Sequence, residues 1–180
     1  MKYISILRGI NVSGQKKIIM ADLKALYEAQ GFENVLTYIQ SGNVIFDADE
    51  INQQESIARI EKAIEAEYGF QVPVDLRTHQ ALGEIIENCP FEEAQNEENG
   101  AKVMLIFLKT LPSQKSINLL LEAVKAPEKL TIKGTEVYLF CSNGYGRTKL
   151  NNNFIEKQLG VSATTRNWRS VKKIYDISNT

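Results

Sequence analysis

An apolar strand–helix–strand–strand–helix–strand–helix order runs through the first ninety or so residues, and the same order restarts after residue 100. The junctions echo as well, Tyr68-Gly69-Phe70 and Leu76-Arg77-Thr78 standing against Leu159-Gly160-Val161 and Thr165-Arg166-Asn167. These observations predict an α+β chain of two ferredoxin-like (βαββαβ) subdomains, related by internal duplication and each carrying an extra helix. The N-terminal lobe is expected over 1–91, an acidic linker over 92–100 and the C-terminal lobe over 101–180.

Tyr3 to Arg8 alternates as a strand, and Met20, Leu23, Leu26 and Tyr27 recur at helical spacing until Gly31. Asn34–Ile39 and Val44–Phe46 read as a hairpin around Ser41-Gly42-Asn43. Ile57, Ile60, Ile64 and Tyr68 mark a helix that Gly69 ends. Val72 to Leu76 alternates again, and Pro73, which has no ladder donor, assigns that strand to an edge. Leu82, Ile85, Ile86 and Cys89 give a further helix.

The second lobe opens on the continuous apolar run Val103–Leu108, expected to be covered on both faces. Ile117, Leu120, Leu121 and Val124 follow the start signal Leu111-Pro112-Ser113. Leu130–Ile132 and Val137–Cys141 flank the turn Lys133-Gly134-Thr135. A helix with Phe154, Ile155 and Leu159 closes at Gly160, an extended piece covers Val161–Arg166, and a last helix turns Val171, Ile174 and Tyr175 inward.

At 180 residues, 43% hydrophobic and 24% charged, the chain has the makeup of a soluble globular protein able to bury a real core. No apolar run reaches the roughly 20 residues of a membrane span. The start shows no signal-peptide pattern, so a cytoplasmic location is expected, with Cys89 and Cys141 as reduced, buried thiols. Residues 49–99 hold 3 Lys/Arg against 13 Asp/Glu, whereas 132–180 hold 8 against 3. The basic end is the one suited to anions.

Polar chemistry gathers in a few loops. Leu7-Arg8-Gly9-Ile10-Asn11-Val12-Ser13-Gly14-Gln15-Lys16-Lys17 resembles a phosphate loop in its Gly-x4-Gly spacing. It lacks the Lys-Ser/Thr that must follow the second glycine to reach phosphate and magnesium. An anion site of loop N–H groups with Arg8 and Lys16 or Lys17 remains open, beside the plainer reading of a tight turn with solvated lysines. Gly144-Tyr145-Gly146-Arg147-Thr148-Lys149 reads as its counterpart in the second lobe. Gln40, Ser41 and Asn43 offer amides and a hydroxyl beside the first loop, or simply the residues of a hairpin turn. Arg166 and Asn167 precede a helix whose N-terminus favours an anion.

Other chemistries lack their residues. His79 is the lone histidine, at a helix start within the acidic half, and reads as a surface side chain. One histidine and two scattered cysteines supply no zinc ligand set, so no metal is expected. Gly42–Asp47 lacks the basic start and paired aromatics of an RNA-recognition strand.

The polar stretches together carry a resemblance. Leu7–Gly14, Tyr38–Phe46, Gly144–Leu150 and Thr164–Trp168 resemble, in order, the LRGINVGG, YIQSGNVVF, GxGRSKL and TTRNW motifs of the bacterial family called domain of unknown function 1697. Ser13 and Thr148 are mild departures from the family's glycine and serine. The resemblance implies a two-lobed α+β protein, no established activity or cofactor, and Arg8, Asn11, Gln40, Ser41, Asn43, Arg147, Lys149, Arg166 and Asn167 as the marked polar residues.

The expected function is binding of a phosphate-bearing small molecule or nucleotide in a basic cleft between the lobes, with Arg8, Arg147 and Arg166 as anion partners. A second reading is nucleic-acid binding by the basic C-terminal half, with Trp168 or Tyr145 stacking on bases. A third is a group transferase acting on a phosphorylated substrate. No catalytic residue, cofactor or oligomeric state is legible.

Overall fold

Alternation at the chain's start becomes β1 (Lys2–Leu7), buried along all but its first residue. A loop leads to α1 (Met20–Ala29), whose Leu23 and Tyr27 point into the core. The hairpin follows as β2 (Glu33–Tyr38) and β3 (Asn43–Asp47). Next comes α2 (Gln53–Tyr68), started by the Asn52 side chain on the Glu55 N–H and ended by Gly69 at φ +76°. The edge strand β4 (Val74–Thr78) runs straight into α3 (His79–Glu87). The structure, a computed structural model, describes residues 1–179, and of Glu97 the backbone.

The stretch expected as a linker contains a 3-10 turn at Glu92–Gln95 and a one-turn helix, α4 (Glu97–Gly100). Asn96 caps that turn through the N–H groups of Glu98 and Asn99, a local signal that the stretch's acidity conceals. Then come β5 (Val103–Leu108), α5 (Gln114–Glu122), β6 (Lys129–Lys133), β7 (Glu136–Phe140), a 3-10 turn at Tyr145–Arg147, α6 (Asn152–Leu159), β8 (Ala163–Asn167) and α7 (Trp168–Ile177).

The result is an α+β chain with two four-stranded antiparallel sheets and, among the described residues, seven α-helices. Strand order is β2-β3-β1-β4 in one sheet and β6-β7-β5-β8 in the other. β4 is an edge strand, but it begins at Val74, after Pro73 rather than around it. The Pro73 carbonyl accepts the N–H of Arg8 at 2.9 Å, so the ring sits where no donor is required.

Two compact units make up the chain, and they divide it elsewhere than at the acidic stretch. The first is Met1–Gly83 together with the chain from Ile174 onward; the second is Glu84–Lys173. In the first unit Tyr3, Val44, Phe46 and Leu76 of the sheet bury against Leu23, Tyr27, Ile60 and Ile64 of its helices. Each such side chain contributes about 1.5–3 kcal/mol when fully buried. Ser5 and the Tyr27 hydroxyl bond at 2.6 Å inside this core, and burial pushes the Tyr27 phenol well above its usual value. In the second unit Met104, Ile106, Val137 and Leu139 pack on Leu120, Ile155 and Leu159. β5 is buried at every position, as its unbroken apolar run requires.

Candidate functional site

β1 ends at Leu7, and the chain then folds a small hairpin before α1. The Asn11 N–H donates to the Lys16 carbonyl at 3.1 Å, and the Gln15 N–H to that of Val12 at 2.9 Å. Ser13 and Gly14, both at positive φ, form the tip, the signature of a two-residue primed turn. The Asn11 carboxamide locks the base: its oxygen accepts from the Ile18 N–H at 2.9 Å, and its Nδ2 donates to the Ile18 and Gln40 carbonyls at 3.0 and 2.9 Å. Lys16 Nζ donates to the Gln71 carbonyl at 2.7 Å. These bonds hold the loop as a hairpin, with Lys16 tied across its exposed side to Gln71.

The second hairpin meets it where the sequence suggested. Gln40 is exposed and lies beside Asn11, with Nδ2 to Gln40 Oε1 at 3.4 Å. Asn43 is fully buried; its Nδ2 donates to the Tyr38 carbonyl at 2.9 Å and to Ser41 Oγ at 3.2 Å. The Asn11 and Asn43 amides are therefore spent on holding the backbone, Asn43 fully buried and Asn11 partly so. Ile39, β-branched and exposed, sits at φ +51°, a conformation that such a side chain rarely adopts.

The second basic loop is built differently. Gly144 at φ +87° leads into the 3-10 turn, and Thr148 Oγ1 accepts the Leu150 N–H at 3.0 Å. The Tyr145 hydroxyl accepts the Asn152 N–H at 2.9 Å, and Asn152 Oδ1 accepts from Thr165 at 2.8 Å. This pins the turn to α6 and β8, while Arg147 and Lys149 stay exposed. Both line a pocket of about 520 Å³ together with Lys125, Glu128, Asn143 and Phe154. Among the described residues, the side chains of Lys125, Arg147 and Lys149 have no ion-pair partner. Three cations against one carboxylate make this wall attractive to anions.

The two basic loops do not occupy matching places, as the sequence suggested they would. The first joins β1 to α1, whereas the second joins β7 to α6. By element order the first corresponds to 109–113 and the second to 48–52. Strand–loop–helix is the local pattern of all these connections, so spacing alone assigned the wrong pair.

Arg166 lies on β8 opposite Leu105 and is buried, 7% exposed. Desolvation pulls its guanidinium down to about 10. Arg77 holds the equivalent register opposite Ile4 on β4, paired with Asp75 at 2.6 Å. Asn167 spends its amide on structure: Oδ1 accepts the Arg169 N–H at 3.0 Å, and Nδ2 donates to the Ala101 carbonyl at 2.8 Å. Trp168 is 1% exposed and offers no face to a base.

His79 is half-buried rather than on the surface. It stacks on Tyr175 with ring centroids 4.4 Å apart, and its Nδ1 lies 2.7 Å from Ser178 Oγ. Ser178 Oγ also donates to the Tyr175 carbonyl at 2.7 Å, closing a local network at the end of α7. Cys141 is buried and Cys89 half-buried; both are free thiols. Among the described residues no group of three or more His, Cys, Asp or Glu is placed to hold a metal ion. No helix among them is long and apolar enough to cross a membrane.

Lys125, Glu128 and Phe154 are among the pocket residues that sequence reasoning missed. Lys125-Ala-Pro-Glu128 reads locally as a plain turn, and nothing in its spacing ties it to residues 143–149.

A family model described as "Protein of unknown function (DUF1697)" matches residues 1–138. Among solved structures the chain is similar to the conserved bacterial protein SP0830 from Streptococcus pneumoniae, with 22% identity and a TM-score of 0.74 over 98% of each chain. At that identity the likeness speaks for the fold alone. No curated protein matches the chain.

Proposed function

The chain belongs to the DUF1697 family of proteins of unknown function, and from that premise we propose that it binds an anionic, phosphate-bearing small molecule or nucleotide. The observation that carries this reading is the pocket of about 520 Å³ in which Arg147, Lys149 and Lys125 share a wall. Arginine offers a planar fork to phosphate oxygens, and lysine adds a mobile point charge. The volume falls within the roughly 300–1,000 Å³ of small-molecule sites.

The finer fold reading belongs to the same proposal: two ferredoxin-like lobes descended from one duplicated unit. Its support is the repeated strand order and a repeated detail at the edge strands. Val74 and Ala163, opposite Leu7 and Leu108, each give their N–H to a helix glutamate, Glu61 and Glu156. The two free thiols suit a reducing compartment, and the proposal places the protein in the cytoplasm.

A thermal-shift titration with inorganic phosphate, sugar phosphates, nucleotides and a single-stranded oligonucleotide tests the binding reading. We expect a phosphorylated small molecule to raise the melting temperature of the wild type and to lose that effect in Arg147→Ala. Arg8→Ala, made in the first unit, reads whether the first loop contributes. A shift that survives Arg147→Ala unchanged, or one given by the oligonucleotide alone, overturns the assignment.

A further inference from the structure

The pocket is larger and less uniform than a phosphate requires. Its cations, Lys125, Arg147 and Lys149, account for one kind of contact; Phe154, Pro127 and Ala126 supply an apolar wall of the same space. Phe154 is partly buried and packs against the core of the second unit, while its neighbours Ile155 and Leu150 are fully buried; the part of its side chain that stays accessible lines the pocket. Glu128 places one carboxylate among the cations, and Asn143 an amide.

Resting on the binding reading above, we propose that the ligand is a nucleoside monophosphate. The phosphate takes Arg147 and Lys149, the base covers the Phe154 ring, and Glu128 accepts from ribose hydroxyls or an amino group of the base. A sugar phosphate has hydroxyls on every side and no flat apolar face with which to cover Phe154 and Pro127. A nucleobase has such a face, and stacking on an aromatic side chain tolerates any base. Glu128 sets the phosphate count. An ionised carboxylate accepts hydrogen bonds but repels further phosphoryl oxygens, so a chain of two or three phosphates is disfavoured beside it. The same repulsion works against a polynucleotide backbone.

The test is calorimetric titration of the full chain with adenosine and uridine monophosphates, ribose 5-phosphate, adenosine triphosphate and inorganic phosphate. We expect both monophosphates to bind the wild type about tenfold or more tightly than ribose 5-phosphate, the scale of one base–aromatic stack. Phe154→Leu removes that advantage and leaves ribose 5-phosphate within about twofold, since leucine keeps most of the packing volume. Glu128→Gln narrows the gap between monophosphate and triphosphate. Ribose 5-phosphate binding as tightly as the monophosphates in the wild type overturns the nucleoside assignment while leaving the anion site intact. That comparison needs no substitution, so it holds even if Phe154→Leu fails to fold. Binding of every probe untouched by Arg147→Ala overturns the anion site and the nucleoside assignment together.

Discussion

The carboxylate of Glu156 accepts the backbone N–H of Ala163 at 2.7 Å, tying the middle of α6 to the first residue of β8. Ala163 opens an edge strand and is itself buried, so its N–H has to be satisfied from the helix side. Glu61 does the same for Val74 at 2.9 Å at the start of β4. In each unit a helix glutamate thus fixes where the last strand begins. That strand in turn sets the height of the Arg77 or Arg166 guanidinium on the sheet.

Removing this acceptor strands a buried donor. Glu156→Ala is expected to cost about 2 kcal/mol, within the range for a hydrogen bond to a charged group. Glu156→Gln keeps an acceptor oxygen and should cost less than half as much. Urea unfolding measures both, as a lower midpoint at unchanged slope. Equal losses for Ala and Gln would mean that the charge, not the acceptor, holds the strand.

Gly42 is the tightest glycine of the first unit. A Cβ there would stand 2.6 Å from Ile10 Cδ1 and 2.9 Å from Leu7 Cβ, on a backbone at φ +82°. Gly42→Ala therefore combines left-handed strain with overpacking and is expected to cost about 3 kcal/mol. Gly14→Ala, at φ +75° with open space around the new atom, carries the strain alone and should cost about 1–2 kcal/mol. Denaturation of the two variants side by side separates clash from strain.

Elements were legible where apolar spacing and a stop signal coincide. Gly69 and Gly160 close α2 and α6 at positive φ, and Ser113 caps α5 through the Ser116 N–H. The start of β4 was misjudged because alternation runs through Val72 while the ladder begins only after Pro73. At the candidate site Arg147 and Lys149 stood out, since exposed cations on a glycine loop are a local signal. Lys125 and Phe154 were invisible, because only tertiary packing brings the α5–β6 connection and α6 to one pocket. His79 was misread for the same reason: its stacking partner, Tyr175, lies on the other side of the second sheet in sequence.

The thiols should differ in reactivity. Burial, helped by the Glu128 charge, pushes Cys141 up to about 12, so its nucleophilic thiolate is scarce in the native state. At pH 8 iodoacetamide is expected to label half-buried Cys89 first and Cys141 only on unfolding, which peptide mass mapping reads. The shift also sets a sign for stability. Above pH 9 the unfolded thiol releases its proton while the folded one keeps it, so stability falls as pH rises from 9 towards 12. Over that window the wild type should lose more stability than Cys141→Ala, by up to about 1.4 kcal/mol per pH unit.

The polar residues that stand out in the sequence divide by where their hydrogen bonds go. Asn11 gives its amide to Ile18 and Gln40, and Asn167 to Arg169 and Ala101. Arg147 and Lys149 are exposed in the pocket wall. Asn11 also sits at φ +55°, which asparagine tolerates better than most residues. Asn11→Ala and Asn167→Ala are therefore expected to cost about 1–3 kcal/mol each, from several lost bonds and, for Asn11, backbone strain. Lys149→Ala should stay within about 0.5 kcal/mol of wild type. Urea unfolding without ligand checks all three. A Lys149→Ala loss as large as that of Asn11→Ala would make the lysine part of the scaffold and remove it from the anion site.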